Sequence, residues 1–110
     1  MRKFLTVGIM IATTSTAALA DSPHLSPERQ SELIRLVRQD CGSCHGMRLT
    51  GGLGPALTPE ALKDKPAAAL INTILRGRPG TPMPPWNTFL SESEATWIVD
   101  GLQKGFPDAR

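Results

Sequence analysis

Two cysteines and a histidine stand together in the run Cys41-Gly42-Ser43-Cys44-His45, and the chain has no other cysteine. Thiols at this spacing can form thioether bonds to the two vinyl groups of one haem, and the adjacent imidazole can then reach the iron from the same face. The motif predicts one covalently bound haem c, attached through Cys41 and Cys44, with His45 as an axial ligand of the iron.

Three other uses of the cysteine pair remain open. A thioredoxin-like dithiol belongs to a βαβ unit, which this chain, rich in proline and glycine, does not suggest. A zinc site needs a fourth ligand beyond Cys41, Cys44 and His45, and His24 is the one further histidine. A disulfide across two intervening residues is sterically poor. The residues favour haem attachment over all three.

The N-terminus has the pattern of an export signal. Met1-Arg2-Lys3 is followed by an apolar run to Ala12 and then by Ala18-Leu19-Ala20, an A-x-A cleavage site. We expect residues 1–20 to be a signal peptide, residues 21–110 to be one cytochrome c domain, and the location to be periplasmic. The apolar run is short for a bilayer, so no stable membrane insertion is expected, although an uncleaved anchor is the alternative.

Two methionines of the exported part could supply the second axial ligand of the iron. What fills this position decides between an electron carrier and a catalyst. Met47 follows His45 by two residues, a reach of about 7 Å at most, so it cannot easily pass the ring edge to the opposite face. Met83 lies 38 positions after His45 and between prolines that stiffen its loop. Met83 is therefore the predicted ligand. A methionine that only fills the core, or ligation by His24, is the alternative.

Metal-bound histidines normally donate their second ring nitrogen to an acceptor that orients the ring. Pro55 is the candidate acceptor for His45, because its fixed φ can aim its carbonyl rigidly. An ordinary loop proline is the alternative.

Helix signals bracket these residues. Ser26-Pro27 starts a helix that is expected to run to about Asp40, with Leu33, Leu36 and Val37 on its apolar side. Thr58-Pro59 starts a short helix that ends by Pro66, and a third helix with an apolar stripe follows until Gly77. The stripe of that third helix comprises Ala67, Leu70, Ile71, Ile74 and Leu75.

The last helix opens with a capping box, Ser91 and Glu94, and its predicted buried stripe is Ala95, Ile98, Val99 and Leu102. Segments 46–57 and 78–85 read as loops because they are rich in glycine and proline respectively. Since no strand is suggested anywhere, the predicted fold class is all-α, a small class I cytochrome c-like helical bundle around one covalently bound haem.

Charge excludes one class of partner. Removing Arg2 and Lys3 with the signal from the 12 basic residues leaves 10, equal to the 10 acidic residues. Such a balance does not fit a nucleic-acid-binding protein. The 90 remaining residues form a domain too small to bury a large core of its own, so we expect the haem to complete it.

Taken together, these motifs resemble a class I c-type cytochrome: the Cys-x-x-Cys-His run follows the first helix, Gly54-Pro55 comes about ten residues later, and Met83-Pro84-Pro85 precedes a capped final helix. The stretches C-G-S-C-H-G-M and G-G-L-G-P-A-L are most similar to cytochrome c55X of nitrite-reducing, denitrifying bacteria. The resemblance implies a periplasmic protein that works with the cytochrome cd1 nitrite reductase or with the enzymes that mature its haem d1.

The expected function is the transfer of single electrons between periplasmic redox proteins, by a monomer that is not itself an enzyme. Arg48, Arg76 and Arg78 are candidates for charges that steer the encounter. The alternatives are a partner in maturation of the haem d1 cofactor, and a haem sensor or catalyst whose sixth ligand is labile.

Overall fold

The computed structural model describes residues 24–108 of the chain, and these form helices and loops without any strand. The all-α prediction is confirmed. Helices α1 to α5 comprise Pro27–Leu36, Gly42–His45, Pro59–Leu62, Ala67–Arg76 and Glu92–Lys104. The expected signal peptide, residues 1–20, and its cleavage site before Asp21 lie outside the described residues.

Helix α1 begins where its capping residues predict. The Ser26 hydroxyl accepts a hydrogen bond from the Arg29 backbone N–H at 3.1 Å, and Pro27 occupies the first turn. Leu33 and Val37 are fully buried, whereas Leu36 is only half-buried. Both buried side chains belong to the hydrophobic core.

The helical backbone does not stop near Asp40 as expected. A π-helical segment, Val37–Cys41, joins α1 directly to α2, so the Cys-x-x-Cys-His motif is itself helical. Because a π turn takes more residues than an α turn, it changes the direction in which the following side chains point. The chain enters the motif with Val37 still buried and Cys41 half-buried.

Helices α3 and α4 also have the expected limits. Thr58 caps α3 through its hydroxyl, which accepts from the Ala61 N–H at 3.3 Å. Pro66 immediately precedes α4, and Gly77 ends it with φ of 67°. Within the predicted stripe of α4, Ala67 is exposed and the four larger residues are half-buried.

Helix α5 is the central packing element. Its capping box is complete, with the Ser91 hydroxyl accepting from the Glu94 N–H at 3.2 Å and the Glu94 carboxylate accepting from the Ser91 N–H at 3.1 Å. All four residues of its predicted stripe are buried. It packs against α3 and α4 and shares one hydrophobic core with α1. That core contains Leu33, Val37, Leu49, Leu62, Leu90, Ile98 and Leu102.

Contacts with Arg38 and Trp97 hold Phe106 and Pro107, which follow α5, to this core. Arg38, in the π-helical segment, donates to the carbonyls of Phe106 at 2.6 Å and Pro107 at 3.0 Å. The Phe106 ring stands edge-on to that of Trp97, with centroids 6.0 Å apart. Phe106 and Pro107 are thereby fixed beside the π-helical segment that leads into the cysteine motif.

No helix among residues 24–108 combines the length and apolar character that crossing a bilayer requires.

Candidate functional site

The loop after His45 folds back onto the cysteine motif. Helix α2 ends at Gly46, and the Gly51 and Gly54 N–H groups then donate to the carbonyls of His45 and Cys44, each at 2.8 Å. These bonds satisfy carbonyls that the end of a helix would otherwise leave unpaired. The loop is therefore hydrogen-bonded directly to Cys44 and His45 of the motif.

This attachment orients the imidazole of His45. Its Nδ1 lies 2.6 Å from the carbonyl oxygen of Pro55. Since a carbonyl can only accept, Nδ1 carries the proton and donates, which leaves the Nε2 lone pair free for a metal. The structure thus has the hydrogen bond expected from the sequence, and the ring is in the tautomer that can ligate iron.

Gly54 makes that geometry possible. A Cβ at this position would lie 2.8 Å from both Cε1 and Nδ1 of His45, closer than side chains approach one another. The loop backbone can lie against the imidazole face only because residue 54 has no side chain. The fit of loop to ring supports the assignment of His45 as a haem ligand.

The two thiols are free and lie on one side of the helical motif. Residues three apart on a helix are neighbours, so Cys41 and Cys44 can address the same edge of a porphyrin. Cys41 is half-buried and Cys44 exposed. Burial raises the pKa of the Cys41 thiol to about 11, with the neighbouring Asp40 carboxylate adding to the effect. A thioether does not ionise, so attachment to haem removes this titrating group.

Met83 lies in a second loop, residues 78–85, which we call the Met83 loop. Hydrogen bonds hold this loop against the end of α4. The Arg78 N–H donates to the Met83 carbonyl at 3.1 Å, and the Met83 N–H donates to the Thr81 hydroxyl at 3.3 Å. Beyond it, the Trp86 N–H donates to the Ile74 carbonyl at 2.9 Å. Hydrogen bonds on both sides hold the backbone of the half-buried Met83, as a weak iron–sulfur bond would require.

The other methionine is placed differently. Met47 is 63% exposed, and its sulfur lies near Gly42 of α2, where an added Cβ would come within 3.5 Å of it. It therefore stays beside the cysteine motif, as its short separation from His45 suggests. The structure brings together Cys41, Cys44, His45 and Pro55, and places Met83 on a separate loop; their roles as haem contacts stay predictions.

The contacts of two glycines could not be specified from the sequence. Gly54 is expected there to let the loop pass close to the haem edge and Gly77 only to end a helix, whereas in the structure each leaves room for a close approach, to His45 and to the Met83 segment respectively. Their spacing from helix ends could indicate a turn, but nothing in the sequence tells which backbone lies opposite.

A scan against protein-family models matches residues 28–100 to the family described as cytochrome C oxidase, cbb3-type, subunit III. Cytochrome c55X of Pseudomonas aeruginosa is 62% identical over 87 residues, which cover 79% of this chain and 72% of that protein. These similarities confirm the resemblance inferred from the motifs, and with it the covalently bound haem c.

Solved structures give the same result. The c-type cytochrome NirC is 60% identical, with a TM-score of 0.73 over 74% of this chain and 95% of that one. The dihydro-haem d1 dehydrogenase NirN, solved in complex with DHE, is 38% identical with a TM-score of 0.60; the match covers 67% of this chain but 16% of NirN. The chain therefore belongs to the cytochrome c55X family of small c-type cytochromes.

Proposed function

We propose that this protein is a periplasmic monohaem carrier of single electrons in the cytochrome cd1 nitrite reductase system, with Cys41 and Cys44 as the attachment points and His45 and Met83 as the axial ligands. The observation that carries the proposal is the 2.6 Å contact between His45 Nδ1 and the Pro55 carbonyl, because it fixes the imidazole with Nε2 free.

The bound haem supplies a one-electron redox centre. The chain contributes the fixed environment of that centre. Pro55 orients the ring of His45 and would make it a better donor to iron, while the hydrogen-bonded Met83 loop would hold a soft thioether that favours the reduced metal and raises the potential. Rigid loops on both sides mean that little needs to reorganise when an electron arrives or leaves.

If His45 and Met83 hold the iron as proposed, no coordination position would remain for a substrate, which favours a carrier over a catalyst. The relatives named above as cytochrome c55X and NirC agree with this assignment. The expected signal peptide, residues 1–20, supports a periplasmic location for a mature domain of residues 21–110.

The likeness to a dihydro-haem d1 dehydrogenase favours a second candidate, a role in maturation of haem d1. In that enzyme a domain similar to this chain is part of a much longer protein. Removing two hydrogen atoms from a tetrapyrrole releases two electrons, whereas a monohaem protein accepts one. As a free carrier, this protein would therefore have to dock twice for each product formed.

Stopped-flow spectroscopy tests both roles. We expect the reduced protein to be oxidised rapidly by a cytochrome cd1 nitrite reductase, or the oxidised protein to be reduced rapidly by a dihydro-haem d1 dehydrogenase turning over its substrate. Direct reactions with nitrite, peroxide and oxygen serve as controls and should be slow. Fast turnover of one of these small molecules without a protein partner would contradict the carrier role and favour a sensor or catalyst.

A further inference from the structure

The buried residues along the first helical stretch are not evenly spaced. Leu33 and Val37 lie four positions apart, and the next buried residue is Gly42, five positions further on. In a continuous α-helix the residues three and four after Val37, Asp40 and Cys41, would share its face instead. The π-helical segment between Val37 and Gly42 accounts for the extra residue.

This extra residue sets the rotation of the cysteine motif relative to the core. An α-helix turns by about 100° per residue, so one inserted residue rotates everything that follows it by about that angle. As a result Gly42, and not Cys41, is the residue of the motif that is buried. The Cys41 thiol can then be directed at a porphyrin edge. Since a π turn is rare, the contacts that hold it need to be identified.

One side chain of the π-helical segment is fixed to a distant part of the chain. Arg38 donates through Nη2 to the Phe106 carbonyl at 2.6 Å and through Nε to the Pro107 carbonyl at 3.0 Å. Its guanidinium carbon lies 5.9 Å from the centre of the Phe106 ring, and Nη2 is also 3.2 Å from the Asp108 carboxylate. The Arg38 side chain is only 14% exposed. A planar guanidinium that donates in a fixed fork defines the position of both carbonyls.

Phe106 in turn has a prepared place on α5. An added Cβ at Gly101, inside that helix, would lie 3.0 and 3.2 Å from two atoms of the Phe106 ring. Glycine inside a helix is less favourable than alanine, so helix propensity does not explain Gly101, whereas room for the ring does. Trp97, one turn earlier, contacts the same ring edge-on. We call the following set the Arg38 clamp: Arg38, Gly101, Phe106 and Pro107.

We propose that the Arg38 clamp consists of positioning residues for the haem. It holds the π turn to the end of α5, and the π turn determines where Cys41 and, through α2, His45 point. The proposal rests on the proposed attachment through Cys41 and Cys44 and on ligation by His45. It assigns a role in the haem site to residues that follow α5 and lie about 60 positions from the motif in the sequence.

The first test uses the haem-loaded protein and two variants that each remove one half of the clamp, Arg38→Ala and Phe106→Ala. In the oxidised protein the pattern of haem methyl proton shifts follows the orientation of the axial imidazole. Both variants should change this pattern in the same direction. Amide hydrogen exchange of residues 41–45 should become about tenfold faster, while exchange in α4 stays within about twofold of wild type. Arg35→Ala is the matched control, because it removes the same charge from an exposed site on α1.

A deletion tests whether the clamp acts through the π turn. Removing Asp40 returns the spacing between Val37 and Gly42 to four residues, so a continuous α-helix would bury Gly42 without a π turn. In this background Arg38→Ala should leave the haem methyl pattern unchanged. A second measure needs no deletion: the double variant Arg38→Ala/Phe106→Ala should shift the pattern no more than the larger single variant, since both substitutions break one set of contacts.

The outcomes separate the clamp from the proposed function. A wild-type haem methyl pattern in Arg38→Ala, or an equal change in Arg35→Ala, overturns the clamp and leaves the carrier proposal standing. Lower melting temperatures of Arg38→Ala and Phe106→Ala with an unchanged pattern would give these residues a structural role only. Additive effects in the double variant, or an effect of Arg38→Ala that persists without Asp40, would show that Arg38 does not act through the π turn. If wild type itself lacks iron-shifted ring protons of His45, the proposed ligation fails and the clamp with it.

Discussion

The Met83 carbonyl oxygen occupies the place of a side chain on Gly77: a Cβ at residue 77 would lie 2.6 Å from it. The end of α4 and the Met83 loop can meet only because residue 77 is glycine. Since the Arg78 N–H also donates to this carbonyl at 3.1 Å, the two residues after α4 together position the backbone of Met83.

We therefore expect Gly77→Ala to displace Met83 from the iron. The variant should retain its haem but lose the methionine–iron charge-transfer band in the optical spectrum of the oxidised protein. Gly80→Ala is the matched control, because Gly80 has a similar φ of 77° but no atom within 4 Å of its added Cβ. It should cost about 1 kcal/mol through backbone strain alone and keep the band. Loss of the band in both variants would show that strain, and not the contact with Met83, is responsible.

Replacement of the predicted ligand should open the iron. Met83→Ala is expected to keep one covalent haem, to lower the reduction potential and to bind cyanide and CO rapidly, because a vacant position replaces a soft thioether ligand. Met47→Ala should change neither property, since Met47 is 63% exposed beside α2. Redox titration and ligand-binding kinetics measure both variants. Exchange of the two phenotypes would refute the assignment of Met83.

The orientation of His45 should depend on the loop backbone more than on the proline ring. Pro55→Ala retains the carbonyl that lies 2.6 Å from Nδ1, so the potential should change little. Gly54→Ala places a Cβ 2.8 Å from the imidazole and should tilt or displace it. Paramagnetic NMR shifts of the His45 ring protons, together with the potential, distinguish the two. Equal shifts in both variants would mean that the rigidity of Pro55 matters as much as the space at Gly54.

An ion pair between the first and last helices makes stability depend on pH. Arg29 contacts the Glu94 carboxylate through two nitrogens, at 2.8 and 3.1 Å, and this pairing lowers the pKa of Glu94. A carboxyl with a lowered folded-state pKa stabilises the fold above its unfolded pKa of about 4.3 and loses this contribution as pH falls through the folded value. Because both side chains retain contact with solvent, we expect about 1 kcal/mol.

Thermal melts of Glu94→Gln and wild type check this. Glutamine can still serve in the capping box, so the variant isolates the charge. The difference in melting temperature should be largest near neutral pH and should vanish in acid. Glu32→Gln is the control, since Glu32 also pairs with Arg29 but is 54% exposed, and it should have a smaller effect. A difference for Glu94→Gln that persists unchanged into acid would exclude the ion pair as its cause.

Much of this protein can be predicted from its sequence, because the decisive signals are local. Cys41, Cys44 and His45 are adjacent, and capping residues such as Ser26 and Ser91 act within the next three residues. The choice of Met83 as second ligand rests on reach, since Met47 is too near the histidine, and it stays a prediction. Local chemistry of this kind defined the all-α fold, the haem motif and the helix limits other than the end of α1.

What only the tertiary structure decided depends on residues far apart in the chain. The contact of Arg29 with Glu94 spans 65 positions, and nothing near either residue indicates it. The π-helical entry into the motif and the backbone opposite Gly77 likewise follow from how α1, α4 and the loops fit around one core. Periodicity tells which side of a helix is apolar, but packing determines what covers it.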